Sequence, residues 1–459
     1  MTKPACKTPC PPHQKKLDLL SFVSVTQKKQ LKRMRAEMGN ISQEQVHGSE
    51  ALAGYSDKIS EALDTHLSYL LAPEERKMLR RFSVREVARF LKLNENTFRH
   101  YIKNADGRMP IGELVGGNRR MFKAEDIDNI RQFLFNDGKI APEAYPRRQG
   151  DQKLNVLCTF NLKGGVSKTS SAILVAQLLG LRGHRVLCID LDPQASMSDI
   201  FQVRPDIDGS PSIYEALRYN DPETGSGPKS MRDVIQKTYF HNVDIAASEM
   251  MLTEFEYETA ISFKTGMGGE PFHRRMSAAI ASVEADYDVV VFDTPPQLSF
   301  SVISALFAST GLIIPLNASM LDSMSLGKFL GMAGDLMKAV EGSSRKKDYD
   351  FIRFLITRFE PTDSPQVQMA GFLRTIFSGA VLKQEFLKST VISDASNSNN
   401  TVMELEPSSF TRKSYDRLMD SVELIVDELE ELCFAARHRS AREAAAENSH
   451  SDDNARRAS

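Results

Sequence analysis

The 459-residue chain has little that would tie it to a membrane, a metal cluster or an oxidising compartment. It holds five cysteines, at positions 6, 10, 158, 188 and 433, and they lack the paired spacing of a zinc knuckle. Cys6 and Cys10 stand among prolines without a second pair, while Cys158 and Cys188 fall inside apolar runs that read as buried strands. Reduced thiols in a cytoplasmic protein are therefore expected. No uninterrupted apolar stretch approaches the roughly 20 residues that span a bilayer, and no apolar segment opens the chain as a secretory leader would. Net charge is scarce too: 58 Lys and Arg against 60 Asp and Glu leave −2, so any charge that matters must be local. The length predicts two or three domains.

Charge does gather locally. From Arg76 to Lys123 there are thirteen Lys or Arg against four Asp or Glu, an excess that suits a phosphate backbone. Within it, residues 82–91 carry the start signals of a helix, Ser83 as N-cap and Glu86 as its capping-box partner. The turn Lys92-Leu93-Asn94 leads to a second predicted helix over 95–103, which is helix-turn-helix spacing. Asn96, Arg99, His100 and Lys103 would then offer donors to base edges or phosphates. Gly116-Gly117-Asn118-Arg119-Arg120 resembles the hairpin wing of a MerR-like winged helix, with Arg119 and Arg120 toward DNA and the next helix starting within 121–127. The plainer alternative is a solvated, charged helical pair. Upstream, Leu52, Ile59, Leu63, Leu67 and Leu70 recur at roughly helical spacing, as either a dimerisation helix or packing onto the winged helix requires. Residues 1–45 are polar and basic, fitting a disordered arm or an upstream over-extension of the reading frame.

A nucleotide signature follows. Asn155 to Phe160 is an apolar, β-rich run, and Ser170 to Leu181 is apolar at helical spacing with Gly183 as a stop. Between them lies Asn161-Leu162-Lys163-Gly164-Gly165-Val166-Ser167-Lys168-Thr169. A glycine-rich turn from strand to helix lets backbone N–H groups close around phosphates at the positive end of the helix. Gly164, Gly165, Val166, Ser167 and Ser170 would line that cradle, Lys168 would reach the terminal phosphates, and Thr169 would ligate Mg²⁺. Ser167 replaces the second glycine of the pattern G-x-x-x-x-G-K-[ST], and a serine can occupy the turn if its φ is not strongly positive. Two further strands end in acids. Residues 185–190 run into Asp190-Leu191-Asp192, and 287–292 run into Asp293; carboxylates at the C-terminal ends of buried parallel strands face the ligand crevice. Asp293 would sit beside Mg²⁺, while one of Asp190 and Asp192 fits a helix N-cap equally well. Residues 311–316 and 351–359 read as two more core strands.

Lys163, just before the glycine pair, marks a resemblance to the deviant Walker A motif, K-G-G-x-G-K-[ST], of the ParA/MinD ATPases. Over residues 46–435 the chain resembles ParA-family plasmid partition ATPases that carry an N-terminal helix-turn-helix, those of repABC replicons in particular. The resemblance implies an α/β fold, a P-loop NTPase with a parallel sheet and helices on both faces, preceded by an all-α, winged-helix DNA-binding domain. It implies ATP and Mg²⁺ as cofactors, Lys163 reaching into the partner subunit's phosphates, Asp192 positioning or activating the attacking water, and Asp190 holding the loop. Glu360-Pro361-Thr362-Asp363 corresponds to the family's adenine-side loop, with Pro361 as its nucleotide contact. ATP would favour a sandwich dimer that binds DNA without sequence preference, and a ParB-like centromere-binding protein and DNA would stimulate its hydrolysis. The winged helix would repress the operon, and the protein would work in the cytoplasm, on the nucleoid.

Other classes share parts of this pattern. A transcriptional repressor would hold nucleotide only as a structural ligand. A MinD-like membrane switch needs an amphipathic C-terminal membrane helix, and the tail is poor in large apolar residues. A reductase resembling the nitrogenase iron protein needs intersubunit cluster cysteines, and the five here are misplaced. The expected layout is an arm (1–45), a dimerisation helix with the winged helix (46–135), a linker (136–153), the ATPase domain (154–436) with a last helix near 415–435, and a disordered tail (437–459). Arg412 and Lys413 fit a solvated pair or a phosphate contact.

Overall fold

The computed structural model describes residues 53–59, 77–117, 119–141, 145–221, 224–266, 269–342 and 346–458, with side chains to residue 441. The basic arm, Asn118 and the leucine stripe other than Ile59 lie outside the described residues. Residues 53–59 are helical and belong to a first unit ending at Glu74; Glu75 to Ser459 form a second.

The second unit opens with Phe82–Ser83 (β1) and Val84–Phe90 (α1), joined by the expected capping box: Glu86 N donates to the Ser83 hydroxyl and Ser83 N to the Glu86 carboxylate. Asn94 caps Glu95–Lys103 (α2). Glu113–Val115 (β2) then pairs antiparallel with Arg119–Phe122 (β3), whose other edge takes β1. The next helix, Ala124–Asn136 (α3), starts within the expected 121–127, after Met121 and Phe122, which are drawn into β3 and buried. Phe82, Phe98, Phe122, Ile127 and Ile130 make the small core that these elements share.

The rest is built on a seven-stranded sheet. Its strands are Asn155–Thr159 (β4), Val186–Asp190 (β5), Gln236–Lys237 (β6), Val243–Ala246 (β7), Val289–Asp293 (β8), Gly311–Asn317 (β9) and Phe351–Thr357 (β10), in the order β10-β9-β4-β8-β5-β7-β6. All pairings are parallel except the β6 edge. Alternate residues of each central strand serve opposite faces, as period-two geometry requires. Leu157, Cys188 and Val291 pack with Ala172 and Leu178 of Lys168–Leu181 (α4) and with Val422 and Leu429 of Arg412–Ala458, whereas Val156, Leu187 and Phe292 pack with Met276, Val302 and Phe329. Both faces are thus covered, which is why these strands read as near-continuous apolar runs.

Two boundaries differ from the sequence reading. The last helix begins at Arg412 and its backbone stays helical to Ala458, through the stretch expected to be a disordered tail. Arg437 anchors the start of that stretch: it is 1% exposed and donates to Asn155 Oδ1 (2.6 Å), Pro146 O (2.8 Å) and Asp288 O (2.8 Å), closing off the start of β4 and β8. The expected linker is also tied down, Arg148 donating to Tyr287 O at 2.9 Å and Arg147 pairing with Asp128 at 2.5 Å.

Candidate functional site

From the end of β4 the chain turns through residues 160–167 into α4. Gly165 takes φ +73° and Ser167 φ +63°, so the loop closes through two left-handed residues, and Ser167 occupies the turn with the positive φ that favours glycine. A non-glycine there costs roughly 1–2 kcal/mol, and anchoring from β10 offsets it. Thr357 Oγ1 donates to Val166 O at 3.1 Å and Arg358 Nη1 to Gly165 O at 3.2 Å. Asn161 braces the near side, donating to Pro315 O at 2.7 Å and accepting from Lys163 N at 3.0 Å. Two left-handed positions bracketing a helix start form a concave backbone suited to anions. Lys168 is buried behind it, its ammonium donating to Lys163 O at 3.1 Å. Burial lowers its pKa, opposed by the charges of Asp293 and Asp192.

Beneath the loop, Asp190 on β5 and Asp293 on β8 are register partners, both shut off from solvent. Asp190 accepts from Ser198 Oγ (2.8 Å), Ser198 N (2.9 Å) and Asp192 N (3.0 Å). Its carboxylate therefore organises the turn after β5. Asp293 is different, because neither carboxylate oxygen has a hydrogen-bond partner. Burial drives its pKa up and the negative charge of Asp190 adds to this, while the Thr169 hydroxyl and Lys168 ease it only in part. A buried carboxylate with both oxygens unpartnered, beside a hydroxyl and an ammonium, fits the water shell of a Mg²⁺ held by Thr169 and phosphate oxygens. Among the described residues no group of three His, Cys, Asp or Glu could hold a metal. Asp192 is half-buried, and its Oδ1 accepts from Gln194 N at 3.0 Å.

Sequence reasoning missed what Lys163 touches. Its ammonium is ion-paired with Asp322, whose side chain is 6% exposed in the first turn of Met320–Glu341. On the other flank a cavity of about 730 Å³ opens at the C-terminal ends of β9 and β10, bordered by Asn317, Met320, Arg358, Glu360, Met369 and Phe372. Pro361 is exposed and does not border it; Glu360 and Asp363 of the same loop do. Ser170 and Thr169 border a second cavity of about 380 Å³ with Ser196 and Asn399.

On α2, Asn96, Arg99, His100 and Lys103 are all exposed, as is Arg119 at the start of β3. Arg99 is paired with Glu95 at 2.6 Å, and Arg120 donates to Ile111 O at 2.9 Å, so Arg120 braces the hairpin. The other side of this module is docked. Arg89 reaches Asp420 (2.6 Å) and Glu423 (2.8 Å), and Lys92 reaches Glu430 (2.8 Å), on the last helix. Glu430 also takes Arg182 (3.0 Å) and His184 (2.7 Å), just past α4. Arg131 of α3 is buried and donates to Leu181 O at 2.8 Å. A Cβ on Gly183 would meet that guanidinium at 2.4 Å, and its φ is +95°, so glycine is required there and not merely tolerated as a stop.

A parallel sheet, a loop with a lysine on either side of its glycines, and an acid at the end of the neighbouring strand define the P-loop class with a deviant Walker A motif. A family profile described as an AAA domain matches residues 154–343. The chain is 40% identical over 394 residues to "Putative replication protein A" of Sinorhizobium fredii, covering 85% of this chain and 95% of that one. Protein SopA of Escherichia coli K12 is 29% identical over 323 residues, 68% of this chain and 77% of SopA. Among solved structures, an ATP complex of a Cyanothece McdA variant aligns with a TM-score of 0.48 and 18% identity, over 61% of this chain and 96% of that one. The chain belongs to the ParA family of partition ATPases, and it resembles the RepA partition protein of repABC plasmids.

Proposed function

We propose that the protein is an ATP-dependent, DNA-binding partition ATPase that segregates a low-copy plasmid and represses its own operon through the winged helix. The observation that carries this reading is the unpartnered, buried Asp293 beside Thr169 and Lys168, beneath a loop that Lys163 opens. Gly164 to Ser170 would enclose the phosphates of ATP, and Lys168 would neutralise the terminal ones. Mg²⁺, held by Thr169 and Asp293, would offset the charge that hydrolysis develops. Asp192, fixed by the turn that Asp190 organises, would orient the attacking water. Lys163 would leave Asp322 and reach the phosphates of a second subunit, so the nucleotide completes the dimer interface. With no strong base in the site, turnover rests on positioning and is slow until DNA and a ParB-like partner assist.

The exposed donors of α2 and Arg119 support operator binding, and the docked face behind them ties that helix to the ATPase body. Among the described residues no helix is long and apolar enough to cross a membrane; the working place we assign is the nucleoid. Fluorescence anisotropy of random-sequence duplex DNA, with ATP, ADP or no nucleotide and across salt concentrations, tests the proposal. ATP-dependent binding that weakens steeply with salt supports it, since phosphate contacts dominate non-specific affinity. Binding that ignores nucleotide, or that one operator sequence alone produces, replaces it with a nucleotide-liganded repressor.

A further inference from the structure

The lysine that opens the phosphate loop has an anionic partner in its own chain. We infer that Asp322 is a positioning residue that parks Lys163 in its own subunit, so that the ATP-driven pairing of two chains must begin by breaking this contact. The inference rests on the reading of Lys163 as the residue that reaches a second subunit's phosphates. Asp322 stands in the first turn of Met320–Glu341, where its N–H donates to the Ser319 cap hydroxyl at 3.2 Å. Its side chain is 6% exposed, one carboxylate oxygen meets the Lys163 ammonium, and the other, Oδ2, has no hydrogen-bond partner. The main chain of Lys163 is held separately: its N–H donates to Asn161 Oδ1 at 3.0 Å and its carbonyl accepts from Lys168 Nζ at 3.1 Å. The loop therefore keeps its place without Asp322, and what the ion pair fixes is the direction of the ammonium.

The two ends of the pair are unequal. The Lys163 side chain is 41% exposed and can swing outward on a flexible stem, whereas Asp322 is buried. When the lysine leaves, the carboxylate stays behind with neither oxygen bonded, a state that costs far more than opening a surface pair. Only a partner with more concentrated negative charge than one carboxylate, such as a terminal phosphate, offsets that loss. The contact thus acts as a threshold. A nucleotide moves the lysine only by the difference between what it offers in the paired and in the single chain, and a diphosphate offers less. Met320, Leu321 and Met324, on either side of Asp322 in the same turn, are exposed, apolar surface that a second copy of the chain would cover as the lysine crosses. The rival account is that Asp322 steadies Lys163 in the assembled dimer, or merely pins the helix to the loop.

The accounts differ in the sign they give to Asp322→Asn, which keeps the shape of the side chain and removes its charge. Full-length chains are sedimented over a range of concentrations with Mg²⁺ and either the non-hydrolysable analogue AMPPNP or ADP, and binding of a ribose-labelled fluorescent ATP checks that each variant is folded. The inference expects the variant to associate about tenfold more tightly than wild type with AMPPNP, and the gap between AMPPNP and ADP to narrow. In a Lys163→Ala background the same substitution should change association by less than about twofold, since the lysine it would release is gone. Association weakened or left unchanged by Asp322→Asn overturns the inference, and so does an equal gain in the Lys163→Ala background. Asp322→Ser decides the matter in the same way should Asp322→Asn not fold. Wild type that associates no better with AMPPNP than with ADP removes the dimer reading of Lys163 itself, and this inference with it.

Discussion

Glu430 and Asp293 are carboxylates of the same structural unit, 3% and 0% exposed, and their surroundings are opposite. Glu430, where the module of α1 to α3 meets the sheet, takes His184 on one oxygen and Arg182 and Lys92 on the other. Burial would raise its pKa, but the His184 hydrogen bond and the Arg182 and Lys92 charges outweigh burial and hold it well below the usual range. Asp293, beneath the phosphate loop, has neither oxygen bonded and faces the like charge of Asp190, and its pKa is driven up. A buried charge is kept in a fold either because protein groups satisfy it or because something that binds will. Glu430 belongs to the first kind and is architectural. Asp293 belongs to the second, and that makes it the residue that betrays the ligand.

Substitutions should split these two sites in opposite directions. The largest effect belongs to Glu430→Gln, which removes the buried counter-charge of Arg182 and Lys92 and leaves them only the partly exposed Asp427. Breaking one side of a buried ion pair typically costs about 3–5 kcal/mol, so denaturant unfolding should report a loss of about that size. A loss below about 1 kcal/mol would mean that water already screens the junction.

Lys163→Ala tests the crevice from its rim. The variant should still bind the labelled nucleotide, while ATP-dependent dimerisation in analytical ultracentrifugation weakens by about tenfold or more, the order expected for one charge-assisted contact. Dimerisation equal to wild type would leave Lys163 as nothing more than the partner of Asp322.

A smaller, pH-dependent effect should appear at the junction, opposite in sign to that of Asp190 and Asp293, whose raised pKa values make the fold gain stability as pH falls. His184 is fully buried, and burial pulls its pKa below the ordinary value against the pull of Glu430, with Arg437 pushing the same way as burial. The unfolded chain therefore takes the proton first, so stability is held above the ordinary histidine pKa of about 6.5 and declines as pH falls beneath it. Glu430, whose folded pKa is depressed, adds stability that is present above its ordinary value of 4.5 and is lost below it. The His184 contribution should fall by about 1 kcal/mol between about pH 7.5 and pH 5.5, so His184→Gln should change the slope of unfolding stability against pH by that amount. An unchanged slope in the variant would assign the decline to another group.

The parts legible in the sequence were those whose meaning is local. Ser83 and Glu86 lie three residues apart, the glycine loop sits between one strand and one helix, and Asp190 and Asp293 each end an apolar run, so type and spacing sufficed. The parts that stayed hidden are long-range. Asp322 meets Lys163 across 159 residues, Thr357 meets Val166 across 191, and Glu430 meets His184 across 246. No window of sequence holds both members of such a pair. Arg437 shows the same limit from the other side: its neighbours are alanine-rich and polar, like a tail, and only the acceptors at the start of β4 and β8 make it structural. Ser167 fails in a third way, because a left-handed φ imposed by anchoring from β10 overrides the preference of the residue itself.

The most direct test of the contrast is thermal unfolding of the full chain, wild type against Asp293→Asn, each with and without Mg²⁺ and ATP. Removing the repelled charge should make the nucleotide-free variant more stable than wild type, by up to about 1.4 kcal/mol for each pKa unit of strain relieved, while the added stability from Mg²⁺ and ATP shrinks or disappears. A nucleotide-free Asp293→Asn protein that melts below wild type, or that gains as much as wild type from Mg²⁺ and ATP, would contradict the claim that Asp293 is held unsatisfied for the nucleotide's cation.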